Sequence, residues 1–166
     1  VTYEGYAPAG VALYIETLTD NRNRTGSEVR SILSKNGGSL AEPGAVGWQF
    51  ERKGVIMLPR EIDEDELMMI ALDAGAEDIV DEGATWRLTC EPTDLNDVRD
   101  ALERGEIAFE SADLTFLATQ TVLLDDVTSA RQVLNLIDLL DDLDDVDAVY
   151  ANFDAPDDVL QEAAAD

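Results

Sequence analysis

The sequence predicts an α+β fold, because stretches of alternating apolar residues and stretches of helically spaced apolar residues follow one another along all 166 residues. At residues 54–118 these stretches run in the order βαββαβ, which is the split βαβ pattern of a ferredoxin-like fold. The βαβ segments on either side, at residues 11–50 and 119–155, are each too short to bury a core. They are therefore predicted to complete each other as one discontinuous domain that receives the ferredoxin-like domain as an insertion.

The first βαβ segment is predicted from three patterns. Val11–Leu18 alternates between apolar and polar residues and indicates a strand. Thr25 and Glu28 match a capping box, which predicts a helix that ends near Asn36 at a pair of glycines. Residues 46–50 alternate again and indicate a second strand.

The inserted segment shows a complete set of strand and helix patterns, which turn residues separate. Glu82 and Gly83 lie between two strands and indicate a hairpin. Cys90 faces inward by alternation, so it is expected to be an inert core residue. The predicted strands are 55–58, 77–80, 85–91 and 111–117, and the first predicted helix is 63–74. The second predicted helix is capped by Thr93 or Asp94 and ends near Gly105.

The last segment is predicted to be a strand, a helix and a strand at residues 121–124, 127–143 and 147–153. The acidic tail after Pro156 is expected to be disordered. The predicted domains are 1–53 with 119–155 for the discontinuous domain, 54–118 for the inserted domain and 156–166 for the tail.

The composition excludes several kinds of chemistry. The chain has 37 Asp and Glu, 11 Lys and Arg, no His and one Cys, with a formal charge of −26. Without His there is no imidazole catalysis and no His metal site, and the lone Cys90 excludes an intrachain disulfide and a Cys-cluster metal site. The Asp-rich run at 141–147 lacks the glycine and glutamate spacing of an EF-hand. The sequence therefore predicts no enzyme, no metal and no cofactor.

The charge is distributed unevenly along the chain. Residues 1–60 carry a net charge of +1, and residues 61–166 carry −27. The acidic part should repel phosphate backbones, so nucleic acid is expected to contact only the first third. General solubility or a salt-rich habitat would explain the acidity equally well. No apolar run is long enough to span a bilayer and the N-terminal residues do not match a signal peptide, so a cytoplasmic location is expected.

Basic and amide side chains near the first helix form the candidate nucleic-acid-binding site. Two arginines lie in a loop just before the predicted helix, where free N–H groups and the helix dipole favour anions. The alternative is an Arg–Asp network that fixes the helix to its neighbours, and the sequence leaves both open. The candidate residues are Asn21, Arg22, Asn23, Arg24, Arg30, Lys35 and Lys53.

Aromatic and basic residues are also interleaved just before the inserted segment. Trp48 and Phe50 precede Arg52 and Lys53, a pattern that a stacking platform for unpaired bases would show. Inward-facing aromatic residues on a strand give the same pattern, and burial in the core is the favoured interpretation for both rings.

Five stretches that run in order over nearly the whole chain carry a family resemblance. They are YEGYAPAGVALYIETLTDNRNRT at Tyr3–Thr25, SKNGGSL at Ser34–Leu40, PGAVGWQFERKG at Pro43–Gly54, ALDAGAEDI at Ala71–Ile79 and DLDDVDAVYANFD at Asp142–Asp154. In these stretches the chain resembles the YebC family, which includes the mitochondrial translational activator of cytochrome oxidase subunit I. The family usually has glycines where this chain has Ala7 and Ala9, which puts in doubt any role that needs a close backbone approach there.

The resemblance implies a fold and a function. The family joins a basic helical N-terminal domain to an α+β domain with a ferredoxin-like insertion, so this chain would be the second and third domain of a longer protein. It implies a non-enzymatic regulator of gene expression, foremost a ribosome-associated translation factor that contacts rRNA and ribosomal proteins. The alternative is a DNA-binding transcriptional regulator. In both cases the absent N-terminal domain would make most of the contacts, and neither a membrane nor a small-molecule substrate is expected.

Overall fold

The structure is a computed structural model that describes residues 1–165. It confirms the predicted α+β class, with mostly antiparallel sheets and five α-helices within the described residues. In chain order the elements are β1 (Thr2–Tyr6), β2 (Ala12–Thr17), α1 (Arg22–Lys35), β3 (Ser39–Ala41), β4 (Phe50–Pro59), α2 (Glu64–Ala74), β5 (Ala76–Asp81), β6 (Thr85–Cys90), α3 (Leu95–Arg104), β7 (Ser111–Ala118), β8 (Val122–Leu123), α4 (Val127–Asp141), β9 (Val146–Ala151), β10 (Phe153–Asp154) and α5 (Asp157–Ala164).

The chain forms two compact units, which we call unit 1 and unit 2. Unit 1 consists of Val1–Glu51 and the chain from Ala118 onward, and unit 2 consists of Arg52–Leu117. These limits lie within two residues of the domain limits predicted from the sequence. We propose that the two units are the predicted discontinuous and inserted domains.

Unit 1 is built on a four-stranded antiparallel sheet in the order β3-β1-β2-β9. A second small sheet pairs β8 with β10 in parallel. Leu13 and Ile15 of β2 are fully buried, and α1 places Val29 and Leu33 one helical turn apart in the same core. Ala130, Val133, Leu136 and Leu140 form the buried stripe of α4.

Unit 2 follows the predicted βαββαβ order, and its sheet order is β5-β6-β4-β7. The first and third strands of the unit, β4 and β6, are therefore the central pair, as the split βαβ arrangement requires. Ile56 and Leu58 of β4 and Leu88 and Cys90 of β6 alternate into one core beneath α2 and α3. Cys90 is fully buried, in agreement with its predicted position.

Several predicted boundaries in unit 1 are wrong. Helix α1 begins at Arg22 rather than after Thr25, because Asn21 caps it and Thr25 is buried inside it. The predicted strand at 46–50 is a 3₁₀ turn at Gly47–Gln49, and β4 begins only at Phe50. Strands β1 and β3 are not among the predicted strands, because both are short and lie beside glycines.

The prediction of a disordered tail is wrong for the described residues. Residues Asp157–Ala164 form α5, which buries Val159 and Ala163 against the core of unit 1. These two side chains are four residues apart and share one face of the helix. Asp157 and Asp158 stabilise the first turn through the helix dipole. Asp166 lies outside the described residues.

The turn between β1 and β2 contains an unusual backbone. Ala9 has φ +67°, in the left-handed region, and Gly10 follows with φ +78°. For an alanine this conformation costs about 1–2 kcal/mol, because its Cβ approaches the carbonyl oxygen. Ala9 is one of the two alanines for which the resemblance described above implies glycine.

Candidate nucleic-acid interface

The predicted anion site at the start of α1 is largely occupied by contacts within the chain. The Asn21 side-chain oxygen accepts a hydrogen bond from the Arg24 backbone N–H at 3.1 Å, which caps the helix. The Asn21 backbone N–H donates to the Thr19 hydroxyl at 3.0 Å. Asn21 therefore has a structural function in capping α1.

The carboxylate of Asp145 joins the start of α1 to the segment before β9. It accepts hydrogen bonds from the Thr25 hydroxyl at 2.7 Å and from Arg24 Nη2 at 2.8 Å, and Arg24 also contacts Asp20 at 3.2 Å. Hydrogen bonds from Thr25 and Arg24 hold the pKa of Asp145 below its usual range, and Asp145 raises the pKa of Arg24. We call this set of contacts the Asp145 network. For Arg24 the geometry is that of the Arg–Asp network considered as the alternative.

Arg22 and Arg30 lie on α1 outside the Asp145 network. Both side chains are exposed, and within residues 1–165 neither forms an ion pair. They line a depression of about 410 Å³ together with Tyr3, Leu40 and Pro43, which we call the α1–β3 groove. The Arg22 carbonyl accepts a hydrogen bond from the Tyr3 hydroxyl at 3.0 Å.

Lys35 and Asn23 are the two other candidates on α1. Both are exposed, and within the described part of the chain Lys35 has no ion pair. Lys35 lies in the last turn of the helix, where a cation also stabilises the helix dipole. It is not among the residues that line the α1–β3 groove.

Lys53 lies in unit 2 and is engaged by two carboxylates. Its Nζ is 2.9 Å from Glu91 and 3.0 Å from Glu77, and its side chain is only 15% exposed. Hydrogen bonds to Glu91 and Glu77 raise the pKa of Lys53 well above its usual value. A phosphate would have to displace both acids, so the geometry does not favour Lys53 as a nucleic-acid contact.

Glu4 on β1 is a buried carboxylate of unit 1 that the sequence did not single out. Glu4 is 8% exposed and accepts hydrogen bonds from the backbone N–H groups of Gly44 at 2.6 Å, Val46 at 3.0 Å and Gly47. Burial acts to raise the pKa of Glu4, but the three N–H donors outweigh it and hold the pKa below 4.5. Glu4 thereby anchors the loop that follows β3. Its sequence signal is weak, because an acid on a short strand is usually solvated.

The loop anchored by Glu4 presents Trp48 to solvent. Trp48 is 65% exposed, and its indole N–H donates to the Ala45 carbonyl at 3.0 Å. Phe50 is buried, with its ring centroid 5.7 Å from that of Tyr14. The prediction of core aromatics is correct for Phe50 and wrong for Trp48, because the 3₁₀ turn interrupts the alternation that would have turned Trp48 inward.

Three other kinds of functional feature are a metal site, a reactive thiol and a membrane-spanning helix. Among residues 1–165 no group of three or more His, Cys, Asp or Glu side chains could hold a metal ion. Burial raises the pKa of the Cys90 thiol to about 11, so it stays protonated at neutral pH. No helix in the described part of the chain has the length and apolar character needed to cross a membrane.

Known proteins are similar to this chain in sequence. A "Probable transcriptional regulatory protein" from Acidothermus cellulolyticus is 53% identical over 163 residues, covering 98% of this chain and 65% of that protein. A protein of the same name from Rubrobacter xylanophilus is 52% identical over 165 residues, covering 99% of this chain and 66% of the relative. The chain thus spans about two thirds of the length of these relatives.

A solved structure extends the similarity to three dimensions. The conserved hypothetical protein Aq1575 from Aquifex aeolicus matches with a TM-score of 0.83 and 42% identity, over 97% of this chain and 67% of the Aquifex chain. The family model described as the TACO1/YebC second and third domain matches residues 1–153. The chain therefore belongs to the TACO1/YebC family, as the stretches of matching sequence predicted.

Proposed function

We propose that this chain is part of a non-enzymatic regulator of gene expression, and specifically of a cytoplasmic, ribosome-associated translation factor. The observation that carries the proposal is the distribution of unpaired cations. Unit 1 has a net charge of −14 and unit 2 of −12, yet Arg22, Arg30 and Lys35 point to solvent from a single helix without acidic partners among the described residues.

Electrostatics favour a mixed RNA–protein partner over a long duplex. Binding to duplex DNA gains most of its free energy when cations neutralise phosphates, and two acidic units with few unpaired cations gain little in this way. A ribosome offers basic proteins for the acidic surfaces as well as phosphates for the cations of α1. We propose rRNA and ribosomal proteins as the partners, and no cofactor or small-molecule substrate.

The second candidate is a DNA-binding transcriptional regulator. It is supported by the relatives that are named probable transcriptional regulatory proteins. Since this chain spans about two thirds of those relatives, residues beyond it would carry a large share of the contacts to either partner. The basic N-terminal helical domain implied by the resemblance would be suited to that role.

Two assays with the full-length protein separate these candidates. We expect co-sedimentation with ribosomes at physiological salt, and binding to promoter DNA no tighter than to competitor DNA. Specific binding to one DNA sequence without co-sedimentation would overturn the translation proposal.

Two double variants test whether the unpaired cations of α1 contribute to ribosome binding. Replacing Arg22 and Arg30 by Ala should weaken co-sedimentation, while replacing the exposed Arg52 and Arg104 of unit 2 by Ala removes the same charge and should leave it nearly unchanged. Equal weakening by both pairs would show that net charge, rather than α1, determines binding.

A further inference from the structure

The α1–β3 groove combines a basic wall with an apolar floor. Arg22 and Arg30 are eight residues apart on α1, which places their Cα atoms about 12 Å apart along the helix axis. Tyr3 and Leu40, both half-buried, form the floor beside Pro43. The volume of about 410 Å³ falls within the range of pockets that hold small ligands, about 300–1,000 Å³.

The floor of the groove is held in place by contacts within unit 1. The Tyr3 hydroxyl donates to the Arg22 carbonyl, and a Cβ on Gly26 would lie 3.5 Å from the Tyr3 ring. The ring therefore packs against the helix where Gly26 has no side chain. Because Tyr3 is already fixed in this way, less conformational entropy is lost when a ligand binds.

The rim of the groove supplies a hydrogen-bond acceptor as well as donors. Glu42 lines the groove, is exposed and forms no ion pair within the described residues. Glu4 also lines the groove, but its oxygens already accept backbone N–H groups of the following loop. The ligand that fits is anionic at one side, flat and apolar in the middle, and carries an amino group toward Glu42.

We propose that the α1–β3 groove binds one unpaired nucleotide of single-stranded RNA. Phosphates contact Arg22 and Arg30, the base lies over Tyr3 and Leu40, and an exocyclic amino group donates to Glu42. This proposal rests on the proposed function and specifies which RNA the cations of α1 meet. A duplex does not fit, because its bases are stacked and paired and cannot enter a groove. An acidic peptide has backbone N–H groups for Glu42 but offers no flat ring to lie over Tyr3 and Leu40.

The test measures binding of fluorescently labelled RNA to the 166-residue chain by anisotropy at low salt. The probes are oligocytidine, which carries the amino group, oligouridine, which lacks it, and an RNA duplex of the same length. We expect oligocytidine to bind about tenfold more tightly than the duplex and severalfold more tightly than oligouridine. Val1 also lines the groove, so a chain extended by a few Gly and Ser residues controls for its ammonium group.

Variants with a matched control locate the site. Arg30→Ala should weaken oligocytidine binding about tenfold, whereas Arg104→Ala, which removes the same charge from an exposed position in unit 2, should weaken it only slightly. Glu42→Gln should reduce the preference for cytidine over uridine. All three side chains are exposed, so the variants should fold, which circular dichroism checks.

The outcomes separate this proposal from the proposed function. Equal loss in Arg30→Ala and Arg104→Ala, duplex binding as tight as that of oligocytidine, or no binding of any probe would overturn the groove proposal. None of these results overturns the proposed function, which ribosome co-sedimentation of the full-length protein tests separately. If oligoglutamate displaced the labelled RNA as effectively as unlabelled oligocytidine does, the groove would be assigned to acidic peptides. That result would also overturn the groove proposal.

Discussion

Two regions of α1 use their arginines in opposite ways. In the Asp145 network, Arg24 is 2.8 Å from a carboxylate and fixes the start of the helix. In the α1–β3 groove, Arg22 and Arg30 have no acidic partner within the described residues and remain available to a ligand. Because Asp145 is 121 residues away from Arg24 along the chain, only the folded structure separates an arginine that stabilises from one that can bind.

The same contrast appears between the two units. In unit 2, Lys53, Arg60 and Arg87 all meet carboxylates, and Arg60 also lies over the Trp86 ring at 4.1 Å. Unit 1 has a similar net charge but leaves more of its cations unpaired. The contrast between a neutral first third and an acidic remainder is thus lost on folding, because unit 1 is assembled from both ends of the chain.

The largest effect is expected at the anchored carboxylate of unit 1. Glu4→Gln should lower the free energy of unfolding by about 2 kcal/mol near neutral pH, because Gln loses the charge that three backbone N–H groups share. Urea unfolding measures this, with the exposed Glu42→Gln as the control.

The pH dependence of the same variant has a defined sign. The folded protein holds the pKa of Glu4 below 4.5, so its stabilisation is complete above that value and is lost as pH falls through the lower folded pKa. The difference between the wild-type protein and Glu4→Gln should therefore shrink in acid. A difference that grows in acid would contradict the role of Glu4 as a charged anchor.

The next effect concerns the Asp145 network. Thr25→Val removes the buried hydroxyl that contacts Asp145 at 2.7 Å and should cost about 1–2 kcal/mol, because the valine side chain is of similar size but offers no hydrogen bond. Thr128→Val, in the first turn of α4 and exposed, is the matched control and should cost little. Equal costs in thermal unfolding would show that the network does not stabilise α1.

Paired arginine variants test the comparison directly. Arg24→Ala should lower the melting temperature and leave oligocytidine binding unchanged. Arg30→Ala should leave the melting temperature unchanged and weaken oligocytidine binding. The loss of thermal stability should be greater at low ionic strength, because salt screens the exposed pair of Arg24 with Asp145. If both variants changed the same property, the distinction between the two regions would fail.

The smallest effect on stability is expected at Trp48. Trp48→Ala should change the free energy of unfolding by no more than about 0.5 kcal/mol, because the ring is 65% exposed on a loop that Glu4 already anchors. A loss above about 1 kcal/mol in urea unfolding would show that the ring packs in the folded protein, as the sequence pattern predicted.

Most of the fold could be predicted from apolar periodicity, and the errors have physical causes. The βαββαβ order of unit 2 and the core positions of β2 and α4 follow from regular spacing of Leu, Ile and Val. Strand β3 is only three residues long, too short for alternation to be recognised. Helix α5 was missed because its two buried residues, Val159 and Ala163, have little apolar surface.

The candidate site was less predictable than the fold. Sequence spacing identified the cations near α1, but whether each meets an acid depends on contacts distant in sequence, such as Lys53 with Glu91. Glu4 was missed for the same reason, since its partners lie 40 to 43 residues away. The exposure of Trp48 depends on a 3₁₀ turn, which no apolar pattern indicates.

The pairing of β2 with β9 has a consequence for synthesis of the chain. Leu13 on β2 is aligned with Ala151 on β9, so the sheet of unit 1 cannot close until nearly the whole chain has left the ribosome. Unit 2 is one continuous segment that ends at Leu117 and is available to fold earlier. We therefore expect the middle of the chain to become protease-resistant first during translation. The apolar faces of β1 and β2 should remain exposed until β9 has been synthesised and can pair with β2.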